Sequence, residues 1–237
     1  MAIIEVKNLV KKYGSIEAVK GISFTVDQGE IFGLIGPNGA GKTTTLQVLA
    51  TLLQITNGSV SLFGFDLEKH PEKIRKLISY LPEDAGAYKN LTGRQYLEFI
   101  AHFFNPKNAS EMIRKGIEIA DLDLRIDDKV DTYSKGMKRR LLVGRALMND
   151  PKLAILDEPT SGLDVRNAQE IRTIIKSCAK QGTIVLLSSH NMLEVEYLCE
   201  RIALISDGLI VEEGKPKELK KKYSAENIEE VFMKVVQ

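Results

Sequence analysis

The stretch "EIFGLIGPNGAGKTTTLQVLATLL", residues 30–53, constrains the fold more than any other part of the chain. It opens with a nearly continuous apolar run, as a strand buried on both faces requires. It then breaks into glycine. Residues 36–43 fit G-x-x-x-x-G-K-[ST], and Leu46, Leu49, Ala50 and Leu53 follow at helical spacing. In a strand, loop, helix sequence of this kind the glycines let backbone N–H groups turn inward around a phosphate. The helix N-terminus adds partial positive charge, Lys42 adds a full one, and the Thr43 hydroxyl is a ligand for Mg²⁺. The expected nucleotide-binding residues are therefore Gly36, Pro37, Asn38, Gly39, Ala40, Gly41, Lys42, Thr43 and Thr44. A glycine-rich turn with a solvated lysine is the plainer reading of the same letters, and the flanking strand and helix weigh against it.

The rest of the chain alternates in a way that suits such a loop. Short β-rich runs, "IIEVKNL" and "AVKGISFTV", precede it, and "GSVSLFG" follows an Asn57-Gly58 pair that predicts a turn. From 84 to 149 the β signal fades into helical stretches such as "GRQYLEFIAHFF" and "KRRLLVGRALM". Strands then return as "LAIL", "TIVLLSS" and "RIALIS", spaced by helices, which is the alternation of a parallel α/β sheet. Residues 224–237 read as a short terminal helix.

Composition narrows the partners. With 237 residues, 43% of them hydrophobic, the chain can bury a core without disulfides or metal. Lys plus Arg number 33 against 32 acids, a formal charge of +1, so no broad attraction to nucleic acid or anionic lipid is built in. The two cysteines, Cys178 and Cys199, form no metal-spaced set and suit a reduced, cytosolic setting. The N-terminus lacks the order of a signal peptide, and no run of about eighteen apolar residues offers a membrane span.

"LAILDEP" places Asp157 and Glu158 at the end of an apolar strand. Two adjacent acids there need a cation or hydrogen bonds. Mg²⁺ with a triphosphate meets that need, with Asp157 facing the ion and Glu158 acting as general base or orienter of the attacking water. A surface helix cap is the alternative. His190 follows "TIVLLSS", where the third αβ unit brings it to the same carboxyl edge of the sheet as a donor to the γ-phosphate.

Taken in order, "GPNGAGKT", "SYLPE", "YSKGMKRR", "LAILDEP", "SGLD" and "SSH" resemble the ATP-binding subunits of ABC transporters over essentially the whole chain. The resemblance implies an α/β fold: a P-loop NTPase, RecA-like core with an antiparallel β subdomain (1–83 and 150–223) and an inserted helical subdomain (84–149). It implies two copies closing head to tail over two ATP molecules with Mg²⁺ bound by Thr43, Glu83 and Asp157. In that arrangement Ser134, Lys135, Gly136 and Met137 take the place of the family signature and meet the γ-phosphate held by the partner's loop. Physical reasoning alone gives Ser134 as the cap of a helix. Tyr13 matches the aromatic that stacks on adenine, with a half-buried strand tyrosine as the alternative. Asp164 matches a loop that communicates across the dimer and is also a suitable N-cap. Further implied partners are separately encoded transmembrane permease subunits and a second ATPase subunit, identical or related. The expected location is the cytoplasmic face of a membrane, and no nucleic acid is expected.

The chain departs from the family pattern at three places. Glu83 stands where glutamine is usual, and without an ion its charge beside phosphate at about 5 Å would cost about 3 kcal/mol at an effective dielectric of about 20. Lys135 and Met137 replace a glycine and a glutamine, a style similar to the drug-export branch. The basic run Lys135, Lys138, Arg139 and Arg140 reads as a solvated or partner-facing helix rather than a nucleic-acid site. An ATPase engine for an exporter is the leading function. The competing readings are a soluble relative acting in translation or DNA repair and a nucleotide sensor with little turnover.

Overall fold

The computed structural model describes residues 2–236, the side chain of Glu194 excepted. The first third of the chain holds β1 (Ala2–Tyr13), β2 (Ile16–Asp27), β3 (Ile31–Ile35), α1 (Lys42–Leu49), β4 (Asn57–Leu62), β5 (Phe65–Asp66), α2 (Pro71–Arg75) and β6 (Ile78–Leu81). Helices α3 (Gly93–Phe104), α4 (Ala109–Ala120) and α5 (Lys135–Leu147) follow. Then come β7 (Leu153–Leu156), α6 (Val165–Lys180), β8 (Ile184–Ser189), α7 (Met192–Leu198), β9 (Arg201–Ser206), β10 (Leu209–Gly214), α8 (Pro216–Lys222) and α9 (Ile228–Val236).

Six strands form one sheet in the order β10-β9-β3-β8-β7-β6. β3 pairs in parallel with β8 and β9, and β7 in parallel with β6 and β8, while β10 returns antiparallel along β9. The near-continuous apolar letters of these strands follow from cover on both faces. In β8, Ile184 and Leu186 pack with α1 and the first strands, whereas Val185 and Leu187 pack with the helices on the other side. Because successive side chains alternate, neither face tolerates a polar residue until the strand ends.

A second, antiparallel sheet, β2-β1-β4-β5, covers the α1 side. Phe24 of β2 stacks on Phe32 of β3 with ring centroids 5.4 Å apart and planes 10° from parallel, joining the two sheets. The turn expected at Asn57-Gly58 is instead the start of β4, where Asn57 pairs with Val10. β1 shifts register between Lys7 and Val10, and its Asn8 lies at φ 49°. Gly58, at φ 96°, crosses that irregularity so closely that a Cβ would lie 2.3 Å from the Asn8 carbonyl oxygen. Helix α1 stops at Leu49 rather than running on to Leu53, since Thr51 turns to φ 61°.

The helical stretch after β6 packs on the opposite face through Tyr96, Leu97, Met112, Leu141 and Leu142. A capping box between Thr92 and Gln95 starts α3. The terminal helix begins at Ile228, later than the expected 224, because Ser224 takes φ 48° and the Asn227 side chain accepts the Glu230 N–H at 2.9 Å. Met1 and Gln237, the ends of the expected core and terminal helix, lie outside the described residues. Among the described residues no helix is long and apolar enough to cross a membrane.

The Phe24–Phe32 stack predicts that Phe24→Ala loses about 3–5 kcal/mol. In urea unfolding this reads as a lower midpoint at unchanged slope. A midpoint at the parent's value would mean that the two sheets hold together without the stack.

Candidate active site

Three parallel strand ends meet at one edge of the large sheet. β3 runs into the glycine loop, β7 into Asp157 and Glu158, and β8, lying between them, into His190. Register locks them together: Leu34 pairs with Ser188, Ile35 with Ser189 and Leu156 with Leu187, and the Gly36 N–H donates to the Ser189 carbonyl at 3.2 Å. All nine loop residues predicted from the sequence, Gly36 to Thr44, fall at this edge.

Gly41 is the N-cap of α1 at φ 102° and leaves the helix without a side-chain cap. A Cβ at Gly41 would stand 2.6 Å from the Ala18 carbonyl, so the loop, the helix start and β2 pack together only with glycine there. The first N–H to find a helical partner is that of Thr45, which donates to the Gly41 carbonyl at 3.0 Å. The amides ahead of it line an anion cradle at a helix N-terminus. The same Ala18 contact brings the β1–β2 hairpin, with Tyr13 half exposed near its turn, to the flank of the loop.

Lys42 is buried. Its Nζ donates to the carbonyls of Gly36 at 2.8 Å and Pro37 at 3.1 Å, and stands 3.5 Å from Glu158 Oε1. Glu158 is 4% exposed, and its other carboxylate oxygen lies 2.8 Å from His190 Nδ1. An ionised carboxylate only accepts, so the ring nitrogen donates to it. His190 therefore reaches Glu158 directly, a contact that the sequence reading did not anticipate. Glu158 Oε1 has no hydrogen-bond partner and only the longer ion pair with Lys42. Glu158 also sits at φ 47°, a left-handed conformation that costs a non-glycine residue about 1–3 kcal/mol.

Asp157 is 1% exposed. Burial pushes its pKa above the usual carboxylate value, and the hydrogen bonds from Ser188 and Thr43 only partly offset that, with the charges of Glu158 and Glu83 adding to the rise. Ser188 works in both directions, since its hydroxyl donates to Asp157 and accepts the Glu158 N–H at 2.9 Å. Tyr80, whose hydroxyl lies 3.5 Å from Asp157, has its own pKa raised by burial and by that carboxylate. The donor set suits a hard cation, with a hydroxyl and a buried carboxylate side by side and excess negative charge. Among the described residues no three His, Cys, Asp or Glu form a group that could hold a metal ion. Glu83 is exposed and accepts from the Ser161 hydroxyl at 3.1 Å.

The Ser134–Met137 segment lies elsewhere. Ser134 caps α5 by accepting the Met137 N–H at 3.2 Å. A Cβ on Gly136 would stand 2.0 Å from Asn167 Oδ1, and one on Gly162 would stand 2.1 Å from Lys135 Nζ. Asp164 is the N-cap of α6 and holds Asn167 in place, accepting its N–H at 2.9 Å and its Nδ2 at 2.6 Å. These bonds lower the Asp164 pKa, with the Asn167 backbone N–H as the largest cause. Among the described residues no hydrogen bond of Ser134–Met137 reaches the glycine loop.

The basic run of α5 requires a correction. Lys135 is exposed and Lys138 and Arg140 are partly exposed, but Arg139 is buried against the site, with its guanidinium bonded to backbone carbonyls near Glu83, Asp157 and Glu158. Ser188, Tyr80, Asn167 and Arg139 are site residues that the sequence reading missed. Only the serine had a local signal, a polar residue inside an apolar strand.

A glycine loop on a helix N-terminus, a buried lysine and an acid pair two strands away on the same sheet edge define a nucleoside triphosphatase of the P-loop class. Residues 19–161 match the family described as "ABC transporter". The chain is 38% identical over 218 residues to the linearmycin resistance ATP-binding protein LnrL of Bacillus subtilis, covering 90% of this chain and 69% of that protein. It is 37% identical over 218 residues to the Nod factor export ATP-binding protein I of Burkholderia lata, covering 91% of this chain and 72% of that protein. A solved dimeric ATP-binding cassette in a post-hydrolysis state, bound to ADP and Pi, superposes with a TM-score of 0.78 at 25% identity, over 90% of this chain and 98% of that one. The chain belongs to the ABC transporter family, as an ATP-binding and ATP-hydrolysing subunit.

Burial of Asp157 gives a pH signature. Its folded pKa lies above the unfolded value, so the carboxyl adds no penalty while protonated in both states and destabilises the fold as pH rises through the folded pKa. Asparagine never ionises. In EDTA, Asp157→Asn therefore melts above the parent by a margin that widens from about pH 4 upward and then levels off. A margin independent of pH would show that the hydrogen bonds cancel desolvation, and one that shrinks as pH rises would show that they outweigh it.

Proposed function

We propose that this chain is the ATP-driven subunit of an exporter, working as a head-to-tail dimer on the cytoplasmic face of a membrane. The observation that carries the reading is the placement of Glu158 between Lys42 and His190, while the same chain's Ser134 caps α5 and Gly136 packs on Asn167, with no hydrogen bond from either to the glycine loop among the described residues. One chain thus presents the hydrolytic half of one site and the signature half of another. The names of the relatives, a resistance protein and an export protein, favour outward transport.

In this reading the loop residues 36–44 surround the phosphates, with N–H groups from Asn38 onward as donors and Tyr13 stacked on the adenine. Lys42 exchanges its carbonyl partners for phosphate oxygens. Thr43, Asp157 and Glu83 would hold Mg²⁺, which would supply positive charge to the phosphate oxygens. Glu158 orients the attacking water and accepts its proton as the water oxygen bonds to the γ-phosphorus and ADP departs with the bridging electron pair. His190 fixes Glu158 through Nδ1–H, and with its ring doubly protonated it also donates Nε2–H to the γ-phosphate. The Ser134 hydroxyl and the Gly136 N–H of the partner subunit, at a helix N-terminus, complete the cage. The second subunit is a further copy or a related cassette.

Separate transmembrane permease subunits receive the motion through the helical stretch 84–149. Exposed rings gather there: Tyr88 contacts Phe99 edge-on at 5.6 Å, and Phe103, 80% exposed, contacts Phe104 at 6.1 Å. Exposed aromatic clusters of this kind mark protein-docking surfaces. The soluble reading, in translation or DNA repair, is not favoured by relatives that are transporter subunits.

Glu158→Gln keeps ATP binding and loses turnover by about 10²–10⁴-fold. Its solution mass doubles with ATP and Mg²⁺ and stays monomeric without them. A variant that hydrolyses ATP at the parental rate would remove Glu158 from its role. Glu83 has its own test. Glu83→Gln keeps an acceptor for Ser161 but no charge, so its ATP affinity depends less on Mg²⁺ than the parent's does. Titrations with a fluorescent ATP analogue at varied Mg²⁺ read this directly, and identical Mg²⁺ curves for the two proteins would exclude Glu83 from the ion.

A further inference from the structure

Arg139 uses its whole guanidinium. Nε donates to the Pro159 carbonyl at 2.7 Å, Nη1 to those of Pro82 at 3.3 Å and Glu83 at 3.2 Å, and Nη2 to those of Asp157 at 2.9 Å and Glu158 at 2.7 Å. A guanidinium has five N–H donors in a rigid plane, and five backbone carbonyls take them. The side chain is 7% exposed. Its charge makes no direct bond to a carboxylate, although the charges of Glu83, Asp157 and Glu158 act on it.

The three segments it joins are separate in the chain: its own signature helix, the loop after β6 that carries Glu83, and the turn after β7 that carries both acids. Three consecutive carbonyls, 157 to 159, converge on one group because Glu158 takes its left-handed turn. The same turn directs the Glu158 carboxylate to Lys42 and His190.

We propose that Arg139 is a positioning residue through which the signature helix holds Glu158 and the Glu83 loop in the geometry needed for hydrolysis. It touches neither substrate nor reacting water. The proposal rests on the reading that Glu158 directs the attacking water. It gives each subunit a rigid path from the helix that meets one ATP to the carboxylates that act on the other, with Arg139 as the only side chain bonded to both the Glu83 and the Glu158 backbone among the described residues.

The test compares the full chain with Arg139→Lys, Arg139→Gln, Glu158→Gln and the Arg139→Lys/Glu158→Gln double variant, all well below their melting temperatures. Lysine keeps the charge but brings only three donors from a single atom, so it cannot fill the five carbonyls of the two segments that the guanidinium joins to its own helix. The expected result is a single-turnover rate about ten- to a hundredfold lower in both Arg139 variants, with the ATP dissociation constant within about threefold of the parent. In the double variant, Arg139→Lys adds little to the loss caused by Glu158→Gln, because the arginine acts through the glutamate. Parental turnover in either Arg139 variant, or losses that multiply in the double variant, would overturn the proposal. If Arg139→Lys does not fold, Arg139→Gln carries the comparison, and failure of both to fold would assign Arg139 to stability alone. Parental turnover in Glu158→Gln would instead overturn the underlying reading of Glu158, whatever the Arg139 variants do.

Discussion

The structure turns on holding two adjacent carboxylates at the end of a buried strand. Asp157 and Glu158 emerge from β7 almost without solvent, and an unpaired charge there would cost several kcal/mol. Everything around them addresses that cost. Ser188 bonds Asp157 and the Glu158 amide, Lys42 and His190 flank the Glu158 carboxylate, and Arg139 collects the carbonyls behind both. The parallel sheet makes the arrangement possible, because it delivers the ends of β3, β8 and β7 side by side with their polar groups on the same edge.

What was legible in the sequence is what short-range chemistry encodes. The glycine loop was legible because a strand, a fixed glycine spacing and a helix are contiguous. Asp157, Glu158 and His190 were legible because each follows an apolar run that has to end at a sheet edge. Arg139 was not, since a run of basic residues looks like a solvated helix face and its partners lie up to 57 residues away in the chain. Asn57-Gly58 misled for a related reason. The pair reads locally as a turn, and only the irregular pairing of β1 shows that the glycine serves a close crossing of backbones.

The signature segment departs from the usual glycines, and its surroundings give a physical account of one position. Gly136 has no room for a side chain, because Asn167, fixed by Asp164, lies where a Cβ would go. Position 135 is free of that constraint. Lys135 extends over Gly162, so a bulky side chain is accommodated by a second glycine in the neighbouring loop. The cost moves to electrostatics, for two lysines in the first turn of α5 face the positive end of the helix dipole with no acid in that turn. An anion brought near this helix end would relieve that repulsion, and the proposed dimer supplies one as the partner's triphosphate.

Lys42 and Glu158 show how the chain's own groups pair inside a site built for a highly charged ligand. The loop's lysine donates to the Gly36 and Pro37 carbonyls and stands 3.5 Å from the glutamate across the cleft. Among the described residues the pairing is incomplete on one side only, since Glu158 Oε1 has the ion pair with Lys42 and no hydrogen bond. The left-handed turn at Glu158 and the carbonyl fan on Arg139 are features of the backbone, so the strain of the site is carried by contacts that the proposed chemistry does not touch.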